Sequence, residues 1–169
     1  MTGIGETQKK LTSAFGGALS LEGTCVIAAK ERLRDVLRFM KDEPDLAFSM
    51  LIDLFAIDSL GKEPRFEVVY LLNSLKLKER LVVKIRLKDG EAAPTVSDLF
   101  RAAEWLEREA FDMFGLRFDD HPDLRRILMM EDFDGYPLRK DFPTEGFGFD
   151  RPFKVRLEEA EGAGGKAGK

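Results

Sequence analysis

The sequence runs to 169 residues, 44% of them hydrophobic, which suffices for one domain with a real core plus extensions. A formal charge of −4 leaves no basic footprint, which excludes non-specific nucleic-acid binding as the expected role. Cys25 is the sole cysteine, so an intramolecular disulfide and a four-cysteine iron–sulfur cluster are both excluded, and a reducing compartment is expected.

Met1–Ser20 carries Lys9 and Lys10 without an apolar core, so no secretory signal is expected there. The longest apolar passages fall well short of the roughly 18 residues of a membrane span. Any membrane association is therefore expected through a partner or a surface contact.

Residues 4–15 read as a short amphipathic helix with Ile4, Leu11 and Phe15 on one side, ended by Gly16-Gly17. Thr24–Ala28 reads as a first strand. Ala29, Leu33, Val36, Leu37 and Met40 then recur at helical spacing until Pro44 stops the helix. Phe48–Ile57 is apolar on both faces except at Ser49 and Asp53, which predicts a central strand covered on both sides at least in part. Phe66–Leu72 and Leu81–Leu87 alternate as half-buried strands, and the short connections between the three predict an antiparallel meander.

Pro94 to Asp98 predicts a helix start, with Thr95 and Asp98 at capping-box spacing. Leu99, Ala103, Leu106, Ala110 and Met113 form the apolar stripe of that helix, and Gly115 is its expected left-handed stop. The order β-α-β-β-β-α predicts an α+β fold: a two-layer domain, mostly antiparallel sheet with helices on one face, followed by an extended C-terminal arm. The expected organisation is an N-terminal helix or extension over 1–20, the α+β domain over 21–115, a partner-binding arm over 116–157 and a disordered tail over 158–169.

The stretch from Glu107 to Pro143 concentrates the chemistry. It holds ten acids and six arginines or lysines, and eight of the fourteen phenylalanines follow residue 110. Such a segment, with little periodicity, needs something to order it: a ligand, a metal or another protein. His121 with Asp119, Asp120 and Asp123 offers carboxylate and imidazole ligands for a divalent metal. The competing reading is a turn histidine before Pro122, with aspartates bonded to local backbone. A lone histidine leaves a zinc or iron site short of ligands.

Glu107, Glu109 and Asp112 could serve acid–base work, yet a charged outer helix face, with Arg108 between Glu104 and Asp112 at i±4 spacing, is the favoured reading. Arg125-Arg126 and Arg139-Lys140 are flanked by acids, which favours charge pairing over an anion site. No glycine-rich loop opens a helix in the phosphate-binding manner. The residues thus predict an ordered, partner-dependent arm and no autonomous active site.

Glu107-Arg108-Glu109, Asp112-Met113-Phe114-Gly115, Phe118, His121-Pro122-Asp123, Arg125-Arg126-Ile127-Leu128 and Gly135-Tyr136-Pro137-Leu138-Arg139-Lys140-Asp141-Phe142-Pro143 occur in order over almost forty residues. This series resembles the family of the 30-kDa subunit of respiratory complex I, the C-type subunit of the bacterial NADH:quinone oxidoreductase.

The resemblance implies a subunit of the hydrophilic peripheral arm, on the cytoplasmic side of the inner (plasma) membrane. It implies a neighbour of the 49-kDa-type (D-type) subunit and of other peripheral-arm subunits. FMN and the iron–sulfur clusters would then belong to the complex, with no cofactor, metal or catalytic residue in this chain. Partner contact and arm ordering are implied for Glu107, Arg108, Glu109, Asp112, His121, Arg125, Arg126, Arg139, Lys140 and Asp141. The family often has histidine where Tyr136 stands, and Thr144–Lys169 follows the pattern of longer members poorly. Related membrane-bound hydrogenases carry similar subunits. A stand-alone metal enzyme built on His121 and an adaptor of an unrelated assembly are the competing expectations.

Overall fold

The computed structural model describes residues 4–145; residues 1–3 and the end of the expected arm and tail, 146–169, lie outside it. Helix α1 (Ile4–Phe15) buries Leu11 and sets Phe15 edge-on to Phe39 at 5.5 Å. A hairpin follows, β1 (Leu19–Glu22) and β2 (Cys25–Ala28), turned at Gly23 and Thr24. Helix α2 (Leu33–Asp42) buries the predicted stripe of Leu33, Val36, Leu37 and Met40. It ends at Glu43, because the residue before Pro44 resists the helical conformation.

Strands β3 (Met50–Asp58), β4 (Phe66–Ser74) and β5 (Glu79–Leu87) form the expected antiparallel meander. The sheet order is β1-β2-β5-β4-β3, with β2 parallel to β5 and every other pairing antiparallel. Phe66, Val68, Tyr70 and Leu72 of β4 meet Leu81, Val83, Ile85 and Leu87 of β5 on the inward face. Leu11, the α2 stripe and Ala103 and Ala110 of the last helix join the same core, so the helices cover one face. This is the expected α+β architecture.

Three expectations are corrected. The run before β2 is a hairpin strand, Leu19–Glu22, which the glycine-flanked Leu-Ser-Leu-Glu segment hid. Phe48–Ile57 is not a doubly covered central strand: β3 lies at the sheet edge, and Ile52, Phe55 and Ile57 are exposed. A bulge between Leu51 and Asp53 shifts its parity, so Leu51, Leu54 and Ala56 point inward although 51 and 54 differ by three. A continuous apolar run cannot report that shift.

The third correction concerns the helix start. Helix α3 runs Ala103–Phe114, without a side-chain cap at Ala102. Residues 93–94 instead form a short strand β6 (Ala93–Pro94) parallel to β7 (Phe118–Asp119). This clasp lays the segment before α3 beside the segment after it. Thr95 and Asp98, freed from capping, turn to Glu107 and Arg34.

Candidate functional site

Helix α3 packs along β3 and stops at Gly115, whose φ of +74° is the left-handed conformation expected there. Beyond it the chain runs mostly as turns and extended segments through residue 145. A Cβ on Gly115 would come within 2.5 Å of the Tyr136 ring, so glycine is required twice, for φ and for this approach.

The predicted charged outer face of α3 does not form. Glu107 and Asp112 are 0% exposed and Arg108 is buried beside them. Asp112 points into the arm: its Oδ2 accepts the amides of Ile127, Leu128 and Met129 at 2.9, 2.7 and 2.9 Å. Its Oδ1 accepts Arg126 Nη1 at 2.8 Å. Burial opposes ionisation of this carboxyl, but the three amides and the guanidinium outweigh it and hold the pKa below the ordinary value.

Arg126 then gathers the arm around itself. Its Nη2 donates to the carbonyls of Phe133 and Gly135 at 3.1 and 3.0 Å, and its guanidinium lies 5.2 Å from the Tyr136 ring centre. Arg108 does not pair with Glu104 or Asp112; it donates to the carbonyls of Arg125 and Arg126 while stacking on Trp105. The pattern of acids around Arg125-Arg126 hid this, since one arginine of the pair turns to the helix. Arg125 itself is exposed and grips Asp123 at 2.6 and 2.7 Å.

A second anchor lies at the end of the sheet. Arg65, almost buried, holds both oxygens of Asp58 and reaches Asp89 and Asp141. Arg139 joins Asp89 and Asp141 and lies over Phe66, while the backbone N–H of Lys140 donates to Asp58 Oδ2 at 2.8 Å. Hydrogen bonding to Arg65 holds the Asp141 carboxyl down at about 2 and lowers Asp58 as well. Asp58, Arg65 and Asp89 were not among the expected site residues. They lie well before the arm motif they hold, and no spacing rule connects them.

His121 is a turn histidine. Its Nδ1 accepts the Asp123 amide at 3.0 Å, so the proton is on Nε2, which donates to the Glu104 carbonyl at 3.0 Å. Among the described residues no three His, Cys, Asp or Glu side chains converge as metal ligands, so Asp119, Asp120 and Asp123 do not form a cage with it. Glu107 bonds the Val96 amide at 2.7 Å and the Thr95 hydroxyl at 2.5 Å, and burial raises its carboxyl to about 7. Glu109 is exposed, as are the side chains of Lys140 and Asp141.

Beside exposed charges such as Arg125, Glu131, Asp132 and Lys140, the arm also presents apolar groups. Leu128, Met130 and Leu138 are 61%, 52% and 51% exposed, and Trp105, beside the arm, is 60% exposed. Among the described residues no helix is long and apolar enough to cross a membrane.

Residues 26–148 match the family model described as respiratory-chain NADH dehydrogenase, 30 Kd subunit. The chain is 44% identical to the second C-type subunit of the NADH-quinone oxidoreductase of Rhizobium meliloti, over 85% of its own length and 83% of the relative's. Its fold resembles a trypsin-resistant fragment (1–134) of Nqo5, with a TM-score of 0.59, 30% identity, and coverage of 72% of this chain and all of that one. It also resembles a chain in the membrane-bound sulfane sulfur reductase, an archaeal respiratory membrane complex, with a TM-score of 0.70, 29% identity, and coverage of 83% and 85%. With the family motifs concentrated on a self-anchored arm and the match running from β2 through α3 into the arm, the chain belongs to the family of the 30-kDa subunit of respiratory-chain NADH dehydrogenase.

Proposed function

We propose that this chain is a non-catalytic structural and assembly subunit in the peripheral arm of a complex I-type NADH:quinone oxidoreductase. In this reading it sits on the cytoplasmic side of the inner (plasma) membrane and docks against the 49-kDa-type (D-type) subunit. The supporting observation is that Asp112 and Arg126 order the arm through its own backbone, while Leu128, Met130 and Leu138 stand exposed on it. Exposed apolar groups on an ordered, irregular segment mark a protein-binding surface.

Nine of the ten motif residues divide into two roles, and Glu107 instead bonds the Thr95–Val96 segment before α3. Arg108, Asp112, His121, Arg126, Arg139 and Asp141 hold the arm in shape, each through contacts within the chain. Glu109, Arg125 and Lys140 present exposed charge at the rim of the partner contact. In this reading flavin chemistry belongs to other subunits, and a single cysteine cannot supply the four ligands of a typical iron–sulfur cluster.

Affinity capture of the tagged chain from native membranes is expected to recover a 49-kDa-type partner and cluster-bearing subunits. Leu128→Asp or Met130→Asp is expected to reduce that recovery at least tenfold, roughly the loss of 1.4 kcal/mol. Recovery of no respiratory subunit by the unsubstituted chain would overturn the assignment. A second reading, a homologous subunit in a relative with another electron donor, is favoured by the likeness to the sulfane sulfur reductase chain. NADH-driven quinone reduction by the captured complex separates the two.

A further inference from the structure

Glu107 sits in the middle of α3 with no exposed surface, and its hydrogen-bond partners are a backbone amide and a hydroxyl, not a guanidinium or ammonium. Arm anchoring is carried by Asp112, so docking leaves this carboxyl without a task. The hydroxyl beside it, Thr95 Oγ1, has one proton and two acceptors within reach: Glu107 Oε2 at 2.5 Å and Ser97 Oγ at 2.9 Å. It also accepts the Ser97 amide at 3.2 Å.

Two hydrogen-bond patterns therefore satisfy the row. With Glu107 ionised, Thr95 donates to the carboxylate and Ser97 donates to Thr95. With Glu107 protonated, the carboxyl donates to Thr95, which turns its own proton to Ser97. Thr95, buried, forms part of the wall of a cleft of about 490 Å³, and Ser97, half-buried, lines it further out with Arg34, Asp98, Glu104 and Asp120.

We propose that Glu107 is a reversible proton-holding site, connected to this cleft by a relay through the hydroxyls of Thr95 and Ser97. On release, the proton on Glu107 passes to Thr95 Oγ1, the Thr95 proton passes to Ser97 Oγ, and the Ser97 proton passes to water in the cleft. One proton leaves, Glu107 becomes a carboxylate, and both hydroxyls end neutral with their orientation reversed.

The surrounding groups are consistent with a carboxyl poised between its two forms. Burial is the largest influence and raises it, opposed by the bonds from Thr95 and Val96. Asp98, on the segment before α3, also raises it, and Arg34 of α2 lowers it. Among the arm residues, His121 has its Nε2 3.8 Å from Glu107 Oε2, but that nitrogen gives its proton to the Glu104 carbonyl. From β4, the hydroxyl of Tyr70 is fully buried without a hydrogen-bond partner among the described residues, and the Glu107 charge adds to the burial that holds its proton on.

The test is infrared difference spectroscopy on the full chain, following the protonated-carboxyl band from about pH 5.5 to about pH 8.5, above the range where ordinary carboxyls titrate. The wild-type band is expected to disappear with a midpoint near 7 and to be absent from Glu107→Gln. After a pH jump, Thr95→Val and Ser97→Ala are expected to lose the band about tenfold more slowly than wild type, the change given by one modest added barrier. Linkage supplies a second readout, because the folded carboxyl holds its proton more tightly than the unfolded one. Wild-type stability is therefore full below about 4.5 and falls as pH rises through 7, and Glu107→Gln lacks that fall. If Glu107→Gln does not fold, carbon-13 labelling of glutamate carboxyls in the wild type assigns the band instead. A wild-type chain with no such band above pH 5.5, a band that survives Glu107→Gln, or unslowed release in both relay variants would overturn the proposal.

Discussion

The sheet with its helices and the arm after Gly115 are both ordered, but by opposite means. The first is held by apolar burial: Phe48, Phe66, Tyr70 and a dozen aliphatic side chains exclude water between one sheet face and the helices. The second has little apolar interior, and is held by a few charged side chains bonded to backbone groups, Asp112 and Arg126 at one end and Asp58 and Arg65 at the other. Hydrophobic stabilisation is spread over many residues and fails globally, whereas polar anchoring is concentrated and fails locally.

The sharpest way to break this contrast starts in the core. Phe48→Ala is expected to cost about 3–5 kcal/mol and to shift the global denaturant midpoint, because its side chain is wholly enclosed. Asp112→Ala comes next, at about 2–4 kcal/mol, since it orphans three amides and unpairs Arg126. Its signature is local: hydrogen exchange at Ile127, Leu128 and Met129 should rise far more than exchange in β4 and β5. Equal acceleration in both regions would mean that arm and core unfold as one unit.

Gly115→Ala is expected to cost about 1–2 kcal/mol from the left-handed conformation, with further loss from displacing Tyr136. Tyr136 line shifts in NMR would report it. The acid side gives a smaller effect. Asp58 and Asp141 have depressed pKa values, so their contribution is complete above about 3.8 and is lost as pH falls through about 2 at Asp141. The Lys140 amide should therefore stay protected at pH 4 and open only in stronger acid. Arg125→Ala should leave the denaturant midpoint unmoved, its pair with Asp123 being exposed. A loss of assembly without a loss of stability in that variant would place Arg125 at the partner contact.

Much of the core was legible from period alone. The α2 stripe, the alternation of β4 and β5 and the stop at Gly115 all appear where spacing puts them, because burial of one face is a local property of a repeating chain. The edge position of β3 was not legible, because a bulge and a missing neighbour leave no mark on composition. Thr95 and Asp98 looked like a cap, and only the β6–β7 clasp redirected Thr95 to a carboxyl twelve residues on.

The Glu107–Pro143 stretch shows the same division most clearly. Its acids, arginines and aromatic residues were sufficient to mark it as an ordered segment with a family resemblance. The expectation that a ligand, metal or partner must supply the order was incomplete. Its anchors are the chain's own Asp112, Asp58 and Arg65, the last two distant in sequence and adjacent only after the sheet forms. Sequence by itself determines which side chains are apolar, charged or conformationally free, and so where regular elements start and stop. Tertiary structure alone decides which charges are buried, because burial depends on neighbours that no local pattern encodes, and here it turned an expected solvent face into the arm's support.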